Sequence, residues 1–339
     1  MRTATRRHIF TVCATLFIAT HAFAQGPLTG VTVTPSKTSA GASTVYTFAF
    51  TTDATGSGIP ADGQIRFVFP PGFDLGYASI TQSADTLTLL RDGTGTALAA
   101  GATASLKLAT IGNATLAADT FAVIVETLDN LGATLDGPTA SAAFAITAGA
   151  ANHIRILVAA SGDTTTFLTT AFTTGDTATI HAASFDVFGN YIQDESVNWS
   201  VSGGIGTLIP ASGVATLFTA TAPGTGQITA DHATLTDGVS AILSVSPGAL
   251  KSIVIVEGPF GDGPAFDTRT LTADETLTLH AAGYDSLGNY LGDQSVTWSS
   301  TGGLAPAVSG TSTSITFSPT TAPVTGTIMA SHATAGGDA

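Results

Sequence analysis

Residues 181–204, HAASFDVFGNYIQDESVNWSVSGG, return as residues 280–303, HAAGYDSLGNYLGDQSVTWSSTGG. Fourteen of the 24 positions are identical, and the offset is 99 residues. A block that recurs at domain-length spacing marks tandem copies of one folding unit. Ile154 and Ile156 match Ile253 and Ile255 at the same offset. Further on the offset is 100: Pro223 pairs with Pro323, Gly226 with Gly326 and His232 with His332. The inserted residue falls between Gly303 and Pro323, where a loop absorbs it.

The copied unit reads as β-structure. Ala178, Ile180 and Ala182 alternate with Thr179, His181 and Phe185. The later copy keeps that parity, with Leu277, Leu279 and Ala281 against Thr278, His280 and Tyr284. Alternation puts the aliphatic set on the core side and predicts that His181 points outward. Val197, Trp199 and Val201 face the core on the next strand, echoed by Val296 and Trp298. The chain's two tryptophans are these two, and each is expected to be the central packing element of a sandwich. Gly189 and Gly288 are read as turn residues that supply positive φ, followed by Asn190 and Asn289, which tolerate it.

At 339 residues and 44% hydrophobic composition, the chain is long enough for two or three such cores. Only 10% of it is charged, and no apolar stripe at helical spacing follows residue 25. The N-terminal unit shows strand patterns at 31–34, 44–51, 64–69, 102–109, 121–128 and 140–147. The next shows them at 153–159, 178–185, 197–201, 214–220, 227–232 and 239–245, with room for a short strand near Thr207. Gly, Pro, Asp and Asn clusters separate them, as turns require. The expectation is all-β: tandem immunoglobulin-like antiparallel β-sandwiches. The expected boundaries are a signal peptide at 1–24, an N-terminal sandwich at 25–148, and repeats at 149–247 and 248–339. The counterpart of 239–245 would fall at or beyond Ala339, so the last sandwich is expected to lack its closing strand. A bare sheet edge is a liability. The chain is therefore expected to be a fragment of a longer protein, with a strand donated by another chain as the alternative.

Arg2, Arg6 and Arg7 precede an apolar run at 9–20, and Ala22-Phe23-Ala24 follows. That is the three-part pattern of a secretory signal, and the run is short for a membrane anchor. Cleavage there would remove Cys13, the only cysteine, so the exported domains would rely on packing without disulfides. It would also take the net charge from −14 to −17 with the loss of the three arginines. Such a surface repels nucleic acid and anionic lipid. Neither nucleic-acid binding nor membrane insertion of the mature segment is expected.

Asp186-Val187-Phe188-Gly189-Asn190, then Val197-Asn198-Trp199-Ser200 and Gly203-Gly204, resemble the bacterial immunoglobulin-like repeats of the invasin and intimin type. Asp285, Gly288-Asn289 and Val296-Thr297-Trp298-Ser299 match equally well. The resemblance covers about residues 150 to 339. It implies an exported protein of the bacterial cell surface, with repeats that act as a stalk or spacer in adhesion. The implied partner is an extracellular protein or glycan. Ala40-Gly41-Ala42 and Phe69-Pro70-Pro71-Gly72-Phe73 resemble modules of other exported bacterial proteins. Two other roles stand beside the stalk: a carbohydrate- or protein-binding module, and accessory domains of a larger secreted enzyme.

Chemistry is sparse. Asp186, Asn190 and Asp194 recur as Asp285, Asn289 and Asp293, oxygen ligands in a loop that suit calcium. A plain turn is the competing explanation, since Asp and Asn side chains bond nearby backbone N–H groups. His181 and His232 recur as His280 and His332, but two histidines without cysteine make an incomplete zinc site. No Gly-x-Ser-x-Gly, His-Glu-x-x-His or phosphate-loop pattern occurs, so no enzyme activity and no cofactor is expected.

Overall fold

The computed structural model describes residues 26–76, 80–160, 165–261, 263–273, 275–335 and 338. The signal-peptide reading of 1–24 lies outside the described residues. The chain is all-β and divides into two compact units, 1–147 and 148–339.

The N-terminal unit is a sandwich. Thr29–Pro35, Ser43–Thr51 and Thr103–Gly112 form one sheet. Thr81–Ser83, Thr86–Leu90, Gln64–Val68, Ile124–Leu128 and Thr134–Ala140 form another, in that order. Strict alternation in Ser43–Thr51 sends Tyr46, Phe48 and Phe50 inward. They share a core with Phe67, Phe69, Leu87 and Val125. The rings of Phe48 and Phe67 lie 4.4 Å apart, and Tyr46 meets Phe69 edge-on at 5.7 Å. Tyr46 reaches through this core to donate to Asn113 Oδ1, and Asn113 Nδ2 ties down the carbonyls of Lys37 and Ser39. The expected strand at 121–128 is two strands in different sheets, Ala118–Phe121 and Ile124–Leu128, separated at the buried Val123. A continuous apolar run does not show where a strand leaves one sheet for the next.

The second unit holds two immunoglobulin-like sandwiches. In the first repeat, Thr177–Phe185 pairs antiparallel with His153–Leu157 on one side and Ala215–Ala220 on the other. Tyr191–Asp194 folds back onto its end. The facing sheet runs Ser212–Gly213, Val197–Val201, Ile228–Asp231 and Gly238–Val239. A small third sheet places Leu243–Ser246 between Ala171–Thr173 and Gly224–Gly226. Its pairing with Ala171–Thr173 is parallel, the one departure from the antiparallel expectation among the described strand pairs. The expected strand at 239–245 is again two pieces, because Ser240 turns the chain with its hydroxyl bonded to Ile228 N and Ala241 O.

The second repeat reproduces this frame. Leu277–Tyr284 pairs with Ser252–Val256, Tyr290–Asp293 and Ser314–Phe317, and Val296–Ser300 lies between Ser309–Ser312 and Ile328–Ser331. Trp199 and Trp298 stand in the two cores at 5% and 1% exposure. Each indole N–H finds a carbonyl on the neighbouring strand, Gly213 O at 3.0 Å and Ser312 O at 3.1 Å. A buried indole keeps its full packing value only when that N–H is satisfied.

The outward face differs from expectation. Phe185 is fully buried with Ala183, Leu157 and Tyr191 in a satellite cluster, because Tyr191–Asp194 covers that side of the strand. His181 is half-buried there rather than outward. His232 closes a turn: its Nδ1 accepts from Thr234 N and Leu235 N.

Replacing Trp298 by Ala is expected to cost about 3–5 kcal/mol. Both tryptophans lie in the repeats, so fluorescence-monitored urea unfolding reads the repeats alone. The variant should unfold at lower urea there, while a Tyr46→Phe change in the other unit leaves that transition unmoved.

Candidate functional site

The repeated Asp–Asn turns are where the polar side chains gather. In the first repeat, Asp186 ends the strand Thr177–Phe185, and its carboxylate organises the loop that follows. Oδ1 accepts from Phe188 N and Asn190 N, both at 2.9 Å. Oδ2 accepts from Asn190 Nδ2 and from Gly149 N, both at 2.8 Å. Gly189 takes φ +87°, which lets the loop close on the carboxylate.

The second repeat repeats the pattern and adds to it. Asp285 Oδ1 accepts from Leu287 N and Asn289 N at 2.9 Å. Oδ2 accepts from Asn289 Nδ2 at 3.0 Å, Gly248 N at 3.0 Å and the Thr174 hydroxyl at 2.6 Å. Asn289 Nδ2 also reaches Thr221 O at 3.1 Å. Thr174 and Thr221 belong to the first repeat, and Gly248 lies in the joint. The turn of one sandwich and the seam with its neighbour therefore share a single acceptor. The approach at Gly248 is close: a Cβ there would stand 3.1 Å from Thr174 Oγ1.

Asp285 is 3% exposed. Burial opposes its ionisation, but the bonds from Thr174, Asn289 and Gly248 outweigh it and hold the acid well below the usual carboxylate range. Asp186 is lowered in the same way, burial opposed by Asn190, Gly149 and Phe188. The remaining predicted ligands sit one turn away. Asp194 accepts from Tyr191 OH at 3.0 Å. Asp293 accepts from Tyr290 OH at 2.7 Å and pairs with His280 Nδ1 at 2.9 Å. The equivalent His181 Nδ1 is buried with no hydrogen-bond partner among the described residues. His332 Nδ1 accepts from Thr334 N and Ala335 N, a turn like that of His232. The two histidines of each repeat thus serve separate local structures.

N–H and O–H donors point at the oxygens of Asp186 and Asp285, where a cation would need bare lone pairs. Among the described residues no group of three or more His, Cys, Asp or Glu is placed to hold a metal. A hollow of about 670 Å³ lies beside Glu257 and Asp267, and Glu257 is paired with Arg269 at 2.8 Å. The sequence reading found Asp285 and Asn289 but missed Thr174, Thr221 and Gly248. One signal was present: Gly149 and Gly248 recur at the same 99-residue offset as the aspartates they donate to.

The N-terminal unit has a carboxylate of the opposite kind. Asp136 is fully buried, bonded through Oδ2 to the Thr127 hydroxyl at 3.0 Å, while Oδ1 has no partner among the described residues. Burial, with the charge of Asp53 adding to it, pushes its pKa up.

No protein-family model and no curated protein matches the sequence. Among solved structures, the chain is similar to the FdeC adhesin of Escherichia coli, at 18% identity, 84% of this chain, 83% of that one and a TM-score of 0.39. It is also similar to the D0–D1 domain of intimin, at 15% identity, 64% of this chain, 98% of that one and a TM-score of 0.22. Domains 4–9 of the surface-layer protein SbsC match at 14% identity, 89% of this chain, 45% of that one and a TM-score of 0.25. Both repeats are immunoglobulin-like β-sandwiches. Their own strand order and their paired tryptophans carry the fold assignment.

Two pH dependences of opposite sign follow. Asp285 titrates below its unfolded value of about 3.9, so its stabilisation is complete above that pH and is lost as pH falls toward the folded pKa. Asp285→Ala should cost about 3 kcal/mol at pH 7, and the difference should shrink on strong acidification. Asp136 titrates above its unfolded value, so its contribution is present below about pH 3.9 and is lost as pH rises through the raised pKa. Asp136→Asn should therefore raise the melting temperature of the N-terminal unit at pH 7 and not at pH 3. Calorimetry across pH checks both. The donor pattern also predicts equal melting temperatures for the repeats in calcium and in EDTA; a rise of several degrees in calcium would restore the ion to Asp186, Asn190, Asp194, Asp285, Asn289 and Asp293.

Proposed function

We propose that this chain is an exported, non-enzymatic protein of the bacterial surface, in which the repeats form a stiff spacer that holds an adhesive or binding region away from the cell. One observation carries the reading: Thr174, Gly248 and Asn289 converge on Asp285 and lock consecutive sandwiches through a buried carboxylate. A spacer needs its domains to resist bending as well as unfolding, and short hydrogen bonds to a buried charge resist both. The adhesin and intimin names among the similar structures agree with such a role. The acidic surface, −14 over the whole chain, keeps such a spacer soluble. The partner at its far end is an extracellular protein or glycan.

Small-angle scattering of the chain and of Asp285→Ala tests the spacer. The parent should give one well-defined maximum dimension; the variant should give a broader distribution. Identical curves would remove the joint from the mechanism. Labelling of intact bacteria by antibody to the repeats tests export, and label seen only after permeabilisation would contradict it.

A further inference from the structure

The N-terminal unit brings two carboxylates to one place. Asp53 follows the strand Ser43–Thr51 of one sheet, and Asp136 lies in Thr134–Ala140 of the other. Leu135 and Asp136 are both buried, against the alternation of a regular strand. The ladder with Ile124–Leu128 shifts register on both sides of Thr127, and that irregularity turns the acid inward. Gly26 bridges Asp136, its carbonyl accepting from Gly137 N at 3.0 Å. Asp53 Oδ2 packs so closely on Gly26 that a Cβ there would overlap it. A Cβ on Gly56 would stand 3.0 Å from Asp136 Oδ1 and 3.6 Å from the Asp53 Cβ. Neither glycine has a positive φ, so both serve close approach rather than turn geometry.

The oxygens here differ from those of Asp186 and Asp285. Thr127 satisfies Asp136 Oδ2, but Oδ1 is buried without a hydrogen-bond partner among the described residues. The Asp53 N–H lies near this carboxyl, outside bonding geometry for Oδ1. Asp53 accepts from Thr55 N at Oδ1 and from the Thr55 hydroxyl at Oδ2, which hold it ionised. A carboxylate offers about four lone pairs, so acceptor sites remain on both acids. Among the described residues no Lys, Arg or His forms an ion pair with either. A buried oxygen with bare lone pairs beside a second negative charge is costly both by desolvation and by repulsion. A proton removes one of the two charges; a divalent cation neutralises both.

We infer that Asp53 and Asp136 hold a calcium ion between them. Asp136 Oδ1 and the Asp53 carboxylate are its protein ligands, and water completes the shell on the side of Asp53, which is half-buried. Oxygen donors select a hard cation, and calcium tolerates the irregular geometry that two carboxylates from opposite sheets impose. So few protein ligands place the affinity in the weak extracellular range, a Kd of about 10⁻⁴–10⁻³ M. The bound ion ties one sheet of the sandwich to the other. The site is separate from the turns of the repeats and does not rest on the spacer reading.

Calcium titration of the full chain by isothermal calorimetry tests this, beside Asp53→Asn and Asp136→Asn. The parent should bind one calcium ion, and each variant should bind at least tenfold more weakly. In scanning calorimetry, calcium should raise the melting temperature of the N-terminal unit in the parent and in neither variant, while the tryptophan-reported repeats stay unmoved. Melting of the variants in EDTA shows that both are folded. No saturable binding below about 10 mM calcium, undiminished binding in both variants, or a rise confined to the repeats would each overturn the inference.

Discussion

The carboxylate of Asp285 receives hydrogen bonds from five donors: Leu287 N, Asn289 N, Asn289 Nδ2, Gly248 N and the Thr174 hydroxyl. A buried charge is tolerated only when its donors are in place together. Three of these donors belong to its own turn, one to the joint and one to the preceding sandwich. Loosening any of them leaves the charge under-solvated, so the turn and the seam stabilise each other. Asp186 has the turn donors and the joint donor at Gly149 N. The chain therefore uses the same device twice, with a further tie at the seam between the repeats.

That device depends on the sandwiches behind it. Trp199 and Trp298 fix the facing sheets, and their indole N–H groups choose one register against the neighbouring strand. With the sheets fixed, the strand ends Phe185 and Tyr284 lead into the aspartates at a defined height. At the joint between the repeats, backbone then approaches the carboxylate at Gly248, where a Cβ would stand 3.1 Å from Thr174 Oγ1. The N-terminal unit solves its packing differently, with an aromatic core around Phe48 and a tyrosine–asparagine tie across 67 residues of chain.

Much of this was legible in the sequence. Alternation alone separated Tyr46, Phe48 and Phe50 from their neighbours, and the 99-residue offset identified the repeats and their tryptophans. The turn character of Asp186–Asn190 could be read from residue type. Three things could not. Strands that change sheets within an apolar run, such as 121–128 and 239–245, look continuous because apolar residues run across the break. The faces of Phe185 and His181 depend on Tyr191–Asp194 folding back, a tertiary event that alternation does not encode. Most important, the oxygens that looked like calcium ligands face donors from Thr174 and Gly248, 111 and 37 residues away from Asp285. Local spacing holds no record of those partners.

A double-mutant cycle between Thr174 and Asp285 measures the seam most directly. Thr174→Val, Asp285→Ala and the double variant are unfolded in urea under tryptophan fluorescence. If the hydroxyl and the carboxylate bind one repeat to the next, Thr174→Val destabilises the parent but adds little once Asp285 is gone, a coupling of about 1–2 kcal/mol. Additivity within about 0.3 kcal/mol would contradict the account.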